Sequence, residues 1–383
     1  MTINSSEGLA TGFKMRAYHK ENAMPTLSLR ATVCLCLLFM SAGLCAEQLI
    51  APDQTHFSYR GRIDFAEPAA PVMSWPATRI DAAFRGRSVA LVLDDDSGRN
   101  FYSAFIDERW NEPVVLDLKP GKHTYPVANN LTGGEHRLTL VKRTEGEEGA
   151  TRFLGLNLDD EAQMLAAPEL PARRIEIYGD SITSGMGNMS PLEGEDGRLE
   201  DKNSFMSYGA ITARALGADY RAISQSGIGI MVSWFDFTMP DFYDQLTAVG
   251  DNDSQWDFSL WTPQVVVINL LQNDSWLVEK RLNPVPTDEQ RIQAYYDFIQ
   301  RIHTRYPEAL IVAALGSMDA TREGSPWPGY IEAAVARFEQ SHPQARLGTV
   351  FFPFTGYGQH PRVVHHKANA GRLTQYIKEQ MDW

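Results

Sequence analysis

A serine with the setting of a nucleophile occurs near the middle of the chain, in the run Gly179-Asp180-Ser181. The apolar run Arg174 to Tyr178 leads directly into it and has the pattern of a β-strand. A serine hydroxyl is a weak nucleophile until a base takes its proton, and the oxyanion that its attack creates needs preorganised donors. Ligands of open α/β sheets bind at the carboxyl ends of strands, which is where Ser181 is predicted. Three-residue runs are common by chance, so a surface turn is the alternative.

The other parts of such a site follow in order along the chain. Gly227 lies in a glycine-containing loop, where a residue without a Cβ lets a backbone N–H approach a ligand closely. Asn273 follows the strand-like run Val265 to Leu271, so its amide is predicted at the same sheet edge as Ser181. His360 precedes the last predicted helix, and histidine titrates in the range that suits a general base.

Serine, glycine, asparagine and histidine in this order resemble the SGNH hydrolases, a branch of the GDSL esterase and lipase superfamily. The resemblance implies that Ser181 is the nucleophile and His360 the general base. It also implies an oxyanion hole made by the backbone N–H groups of Ser181 and Gly227 and the side-chain amide of Asn273. Such chemistry is metal-independent, and we expect neither a metal nor a cofactor.

Segments in both parts of the chain narrow the resemblance to one family. Five segments are similar to carbohydrate esterase family 2: Trp75 to Ile80, Phe84 to Gly86, Lys142 to Glu145, Thr238 to Pro240 and Trp256 to Ser259. That family joins a small jelly-roll sandwich to an SGNH domain and removes acetyl groups from plant polysaccharides. The likeness covers about residues 55 to 380. It therefore implies an acetyl xylan esterase-like enzyme with an acetylated carbohydrate as substrate.

Two positions depart from the family pattern. The block around the asparagine usually reads Gly-x-Asn-Asp, whereas Leu271 replaces the glycine and is expected to shift the turn or narrow the site. Relatives commonly carry an aspartate two or three residues before the histidine, but no carboxylate occupies those positions here. We therefore expect a Ser181–His360 dyad. The alternative is a triad completed by a distant carboxylate such as Asp319.

Three tryptophans, Trp234, Trp276 and Trp327, are candidates for stacking on a sugar ring. Partly buried core is the more common fate of a tryptophan. Trp276 is the favoured substrate-binding residue because it lies beside Asn273 in the sequence.

The predicted elements divide the chain into two regions after the leader. Residues 47–168 contain short β-like runs between turn signals, which is typical of an all-β sandwich, here of jelly-roll type by resemblance. In residues 169–383 strands alternate with helices, which predicts an α/β domain of SGNH type with a parallel sheet between two helical layers. The helices are predicted over 204–216, 287–306, 330–342 and 366–381.

The first 46 residues are predicted to be a leader with a signal peptide. An apolar run from Ala31 to Leu44 follows Arg30 and ends in small residues, with cleavage expected after Ala46. The run is shorter than the roughly 20 residues that span a bilayer, although an N-terminal membrane anchor is the alternative. We therefore expect export to the periplasm or the extracellular space, with no stable membrane anchor after cleavage.

Composition excludes some partners. The 383 residues carry a formal net charge of −13, so a nucleic acid is not an expected partner. Two rival functions stay open at this point: an SGNH lipase or thioesterase of other specificity, and a glycan-binding protein whose hydrolase site has decayed.

Overall fold

Two antiparallel sheets form the first half of the protein in the computed structural model, which describes residues 47–53, 55–249 and 254–383. The predicted signal peptide lies outside the described residues. The strands are β1 Glu47–Ile50, β2 Phe57–Arg60, β3 Ile63–Asp64, β4 Val72–Met73, β5 Arg79–Arg85, β6 Val89–Asp95, β7 Phe101–Ile106, β8 Val114–Asp117, β9 Gly121–Ala128, β10 Glu135–Lys142, β11 Thr151–Asp159 and β12 Gln163–Met164. One sheet has the order β3-β4-β11-β6-β9, with β1 on β11, and the other has the order β12-β5-β10-β7-β8, with β2 on β5.

The two sheets bury a common apolar core. Leu91 and Leu93 of β6 belong to it together with Tyr102 of β7, Leu140 of β10 and Phe153 of β11. Successive side chains of a strand point to opposite faces, so alternate positions enter the space between the sheets. The predicted all-β sandwich is confirmed.

A five-stranded parallel sheet forms the second half. Its strands are β13 Arg173–Gly179, β14 Ala218–Ser224, β15 Val265–Asn269, β16 Leu310–Leu315 and β17 Arg346–Phe351, in the order β14-β13-β15-β16-β17. The helices are α1 Ser181–Ser184, α2 Tyr208–Leu216, α3 Met239–Phe242, α4 Gln272–Arg281, α5 Asp288–Arg305, α6 Trp327–Ser341 and α7 Val363–Met381.

Helices cover both faces of this sheet. Along β15, Val266 and Ile268 pack in the core that includes α5 and α6, whereas Val265 and Val267 pack in the core that includes α2 and α7. A strand buried on both faces is a continuous apolar run, which is the pattern that the sequence shows here. The predicted three-layer α/β/α arrangement is confirmed.

The strand order places a switch point at the end of β13. The first strand of this sheet, β13, lies between the second and the third, so the connection leaving β13 runs to β14 on one side, whereas the connection leaving β15 runs to β16 on the other side. In open α/β sheets the ligand crevice forms at such a point. The register pairs Gly179 with Ser224 on one side and with Asn269 on the other, so the three strands end at the same level.

Capping residues set the helix boundaries. The helix predicted from residue 204 begins at Tyr208, because the Ser207 side chain accepts the backbone N–H of Ala210 and Ser204–Met206 forms a separate 3-10 turn. Thr287 caps α5 in a capping box with Gln290, which agrees with the predicted start.

A buried arginine connects the sandwich to the parallel-sheet region. Arg62, between β2 and β3, donates to the carbonyl oxygens of Tyr243 (2.7 Å) and Gln245 (2.9 Å) and to Glu176 Oε1 (3.2 Å). The side chains of Arg62 and Glu176 are both fully buried. Residues 47 to 383 belong to a single compact unit. The predicted boundary between residues 168 and 169 falls between β12 and β13 and stays a prediction.

Within the described part of the chain, no helix combines the length and the hydropathy that crossing a membrane would require.

Replacing Arg62 by alanine is expected to lower the free energy of unfolding by about 3–5 kcal/mol, because Glu176 would keep a buried charge without its partner. Denaturant titration followed by tryptophan fluorescence measures the change. The matched control is Arg85→Ala, which breaks an ion pair to Glu135 whose side chains are both at least half exposed; its cost should stay below about 1 kcal/mol. Equal losses in the two variants would show that the buried pair does not connect the two regions.

Candidate active site

Ser181 begins a four-residue helix directly after β13. The side chain of Asp180 caps this helix by accepting the backbone N–H of Ile182 at 3.0 Å. The turn is tight, because a Cβ on Gly179 would collide with the side chain of Thr183. Ser181 is 4% exposed, and its Oγ lies 2.9 Å from Nε2 of His360. The predicted pair is therefore in hydrogen-bond contact.

A carboxylate lies on the other side of the histidine ring. Asp196 Oδ2 is 2.9 Å from His360 Nδ1 and accepts the backbone N–H of His360 at 2.6 Å. The hydrogen bond from His360 holds the pKa of the Asp196 carboxyl well below its usual range. Serine, histidine and an ionised aspartate thus stand in line, as in a catalytic triad.

The structure thus places a carboxylate beside the expected Ser181–His360 dyad. The acid comes neither from the positions just before the histidine nor from Asp319, whose carboxylate accepts the Trp276 indole N–H at 2.9 Å. Asp196 lies 164 residues before His360, in the segment between α1 and α2. No local spacing in the sequence indicates this contact.

Arg362 holds the Asp196 segment in place. Its guanidinium is buried and donates to the carbonyl oxygens of Gly187 at 3.0 Å, Pro191 at 3.0 Å and Gly194. A side chain two residues after the histidine therefore fixes the loop that supplies the carboxylate.

Asn273 contacts the chain neighbours of the other two predicted oxyanion donors. It lies in the first turn of α4, and its Nδ2 donates to Ile228 O at 2.9 Å and is 3.5 Å from Asp180 Oδ2. Ile228 follows Gly227 in the chain, and Asp180 precedes Ser181. Gly227 has a φ of +87°, a conformation that suits glycine. The structure thus gathers the loops of Ser181, Gly227 and Asn273 around one amide side chain.

Asp274 was not assigned a role from the sequence, but it fixes the loop that follows Gly227. Its buried carboxylate accepts the backbone N–H groups of Ile230 (3.0 Å), Met231 (2.7 Å) and Val232 (3.3 Å). Burial raises the pKa of Asp274 to about 6 and that of Asp180 to about 7. Both carboxyl groups act on backbone donors near the site.

Leu271 keeps the turn that a glycine usually makes. It adopts a left-handed conformation with φ +86° and caps α4. Its side chain is fully buried in the core that α5 and α6 share. A non-glycine residue in this conformation costs roughly 1–2 kcal/mol, which the burial of the side chain offsets.

The tryptophans differ in what they offer a ligand. Trp234 is 51% exposed, its indole N–H donates to Asn273 Oδ1 at 3.1 Å, and its Cδ1 would lie 3.2 Å from a Cβ on Gly227. Trp276 is partly buried and packs against both cores of the parallel-sheet region. Trp327 is 6% exposed and packs edge-on against Tyr330. Of these three tryptophans, Trp234 is therefore the exposed one, and it lies next to Gly227 and Asn273.

Comparison with known proteins identifies both halves of the chain. A family model described as carbohydrate esterase 2 N-terminal matches residues 59–168, and one described as GDSL-like lipase/acylhydrolase family matches residues 177–373.

Two curated relatives are similar over most of the chain. The chain is 32% identical over 348 residues to the cellulase/esterase CelE of Acetivibrio thermocellus. This match covers 88% of the chain but only 41% of CelE. It is 33% identical over 293 residues to an acetylxylan esterase/glucomannan deacetylase of Cellvibrio japonicus, with 72% of this chain and 77% of the relative covered.

A solved structure has the same architecture. The family two carbohydrate esterase from Clostridium thermocellum, in complex with cellohexaose, superposes with a TM-score of 0.78 at 31% identity and covers 85% of this chain and 99% of that one. The matches extend across the sandwich and the parallel-sheet region alike. The chain therefore belongs to carbohydrate esterase family 2 and is an esterase with a GDSL-like acylhydrolase region.

Proposed function

We propose that the protein removes O-acetyl groups from a plant-type polysaccharide or oligosaccharide through a serine acyl-enzyme. The observation that carries this proposal is the line of hydrogen bonds from Ser181 through His360 to Asp196. The names of the relatives supply the substrate class, since they include an acetylxylan esterase/glucomannan deacetylase and an esterase solved with cellohexaose.

Acylation begins at the serine hydroxyl. While the Nδ1–H of His360 donates a hydrogen bond to Asp196, the lone pair of Nε2 is free to accept the proton of Ser181 Oγ. The oxygen then attacks the acetyl carbonyl, and the negative charge of Asp196 stabilises the imidazolium that forms. Because the low pKa of Asp196 keeps it ionised, this charge is present across the neutral range.

The oxyanion is held by three donors. In our proposal these are the backbone N–H groups of Ser181 and Gly227 and the amide of Asn273. The longer contact of Asn273, 3.5 Å to Asp180, is the one whose N–H turns to the oxyanion, while the 2.9 Å bond to Ile228 holds the side chain.

Acylation ends when the first tetrahedral intermediate collapses. The imidazolium of His360 gives its proton to the departing sugar oxygen, which leaves acetyl-Ser181. Deacylation uses the same groups. Water then takes the place of the sugar hydroxyl, gives a proton to His360 and attacks the acyl carbon. Collapse of the second tetrahedral intermediate releases acetate and returns the proton to Ser181 Oγ.

The sugar rings are proposed to stack on an exposed indole. Trp234 suits this role because its half-exposed ring lies next to Gly227 and Asn273. Trp276, the residue favoured from the sequence, remains a second candidate: it lines an open groove of about 710 Å³ that also contains Glu279 and Asp319.

Export is part of the proposal. A polysaccharide substrate lies outside the cell, and the predicted signal peptide would direct the chain to the periplasm or the extracellular space.

Both rival functions make different demands on the site. A lipase or thioesterase needs apolar volume for a long acyl chain, whereas an acetyl group needs little. A glycan-binding protein with a decayed site was suggested by Leu271 and by the missing acid. Asp196 supplies the acid and Leu271 keeps the turn, so neither departure favours decay.

Ser181→Ala is expected to lower turnover on nitrophenyl acetate about 10⁶-fold without unfolding the protein, because the nucleophile is lost. Circular dichroism checks the fold. The wild type should release acetate from acetylated xylan or glucomannan and should prefer the acetyl over the octanoyl nitrophenyl ester. Activity retained by the variant, or a preference for octanoyl, would contradict the proposed function.

Asp196→Asn is expected to lower turnover about 10⁴-fold at unchanged KM, because an amide favours the wrong tautomer of the histidine. The control is Asp319→Asn, which leaves His360 and its partners untouched and should keep the turnover on nitrophenyl acetate near that of the wild type. If Asp196→Asn also stayed near the wild-type turnover, the site would work as a dyad after all.

Trp234→Ala is expected to raise KM for acetylated polysaccharide about tenfold, equivalent to about 1.4 kcal/mol, while KM for nitrophenyl acetate changes little. Trp234→Phe keeps a ring but removes the N–H to Asn273, so it separates stacking from support of the amide. Trp276→Ala is the comparison within the groove. A selective polysaccharide defect in Trp276→Ala, and not in Trp234→Ala, would assign stacking to Trp276 instead.

A further inference from the structure

A carboxylate of the sandwich contacts the loop that carries Gly227. Glu145 follows β10 in the run Lys142 to Glu145, and it is 1% exposed. Its Oε2 accepts the backbone N–H of Ser226 and its Oε1 accepts the hydroxyl of Ser226, both at 2.5 Å. The residue immediately before Gly227 is thus held at two points by a side chain from the other half of the protein.

The charge of Glu145 is balanced inside the protein. Lys202 Nζ lies 3.0 Å from Glu145 Oε1 and also bonds Glu148 Oε1. Burial works against the ionised carboxylate, but Lys202 and Ser226 outweigh it and lower the pKa of Glu145. Glu145 is therefore an ionised acceptor for the two donors of Ser226.

The backbone of Glu145 is fixed as well. Lys142 Nζ donates to its carbonyl oxygen at 3.0 Å, and Glu148 Oε2 accepts its N–H at 3.1 Å. The next residue, Gly146, packs so closely on Ala248 that a Cβ would collide with it. An acceptor held this way is preorganised, which is what a supporting group at a catalytic loop requires.

We propose that Glu145 is a positioning residue that aims the backbone N–H of Gly227 at the oxyanion. The peptide unit that carries this N–H begins at Ser226, so fixing Ser226 fixes the direction of the donor. Asp274 holds the same loop beyond Gly227 through the amides of residues 230–232. The inference rests on the proposed function, because it assigns Glu145 to the oxyanion hole of that reaction.

Asp81 of β5 offers a matched control for Glu145, because Glu148 itself accepts the Glu145 backbone N–H. Both carboxylates are buried in the sandwich, and each is paired with a cation: Glu145 with Lys202 and Asp81 with Arg79. Among the described residues, only Glu145 of the two contacts Ser226. A role in folding alone would affect the two substitutions alike, whereas a role at the loop would separate them.

The first test compares Glu145→Gln with Asp81→Asn. Glutamine at 145 places an N–H₂ group against either Ser226 or Lys202, so we expect kcat on nitrophenyl acetate to fall about 10–10²-fold at unchanged KM. Asp81→Asn should keep kcat near that of the wild type even if its melting temperature falls as much. Parallel losses of kcat in both variants, or no loss in either, would overturn the proposal.

Ser226→Ala provides a second variant that leaves the buried charges intact. It removes the hydroxyl bond but keeps the backbone N–H bond, so a smaller loss of kcat is expected at the wild-type melting temperature. This variant decides the question if Glu145→Gln does not fold. A wild-type kcat in Ser226→Ala would then count against the proposal.

A double-mutant cycle with Asn273→Ala tests the route through the oxyanion hole. If Glu145 acts by aiming Gly227, its substitution should cost less when Asn273 is already absent, because the two donors serve one charge. Full additivity would contradict that route.

The rate at which a serine-directed phosphonate labels Ser181 gives the same comparison without an acetyl substrate. A wild type that is labelled but releases no acetate would thus overturn the proposed function and leave the role of Glu145 measurable.

Discussion

The hydrogen-bonded register of β13 between β14 and β15 is the constraint on which the site depends. Gly179 pairs with Ser224 on one side and with Asn269 on the other. Parallel strands in this register end together, and the chain leaves β13 and β15 in opposite directions at the switch point. The segments carrying Ser181, Gly227 and Asn273 therefore start from one level of one sheet edge, although almost a hundred residues separate them in the chain. Any slip of one strand would move its loop away from the other two.

Buried carboxylates fix what the register brings together. Asp180 caps the helix of Ser181, and Asp274 holds three amides beyond Gly227. Burial raises the pKa of Asp180 to about 7 and that of Asp274 to about 6. The pKa of an aspartate in the unfolded state is about 4. The folded state thus holds more protons than the unfolded state between about pH 4 and 7, and stability falls as the pH rises through that window. The site therefore costs stability at neutral pH in exchange for fixed backbone donors.

From the sequence we could predict those elements and site residues that depend on local sequence patterns. Apolar runs located β13, β15 and β16, and a residue that directly follows a strand, such as Ser181, is placed by that strand. Asp196 could not be found this way, because its partner is 164 residues distant and its segment has no periodic pattern. That contact depends on Arg362 binding three carbonyl groups of the segment, which is a tertiary interaction. The backbone conformation of Leu271 could not be predicted for a related reason. Residue type alone does not show that a leucine takes a positive φ when its side chain is buried in the core.

The sandwich completes the parallel-sheet region. Trp75 lies in the same core as Tyr178 and packs against Phe242, with ring centroids 4.8 Å apart. Arg62 neutralises Glu176 of β13, whose carboxylate is fully buried. Without the sandwich, that charge would lose its partner inside the protein, at a cost of several kcal/mol. Losing the contact of Glu145 with Ser226 has a different consequence. In our proposal it changes the direction of the Gly227 N–H group and not the stability of a core. The two regions are therefore coupled twice: once through the energy of folding, and once, in our proposal, through the geometry of the oxyanion hole.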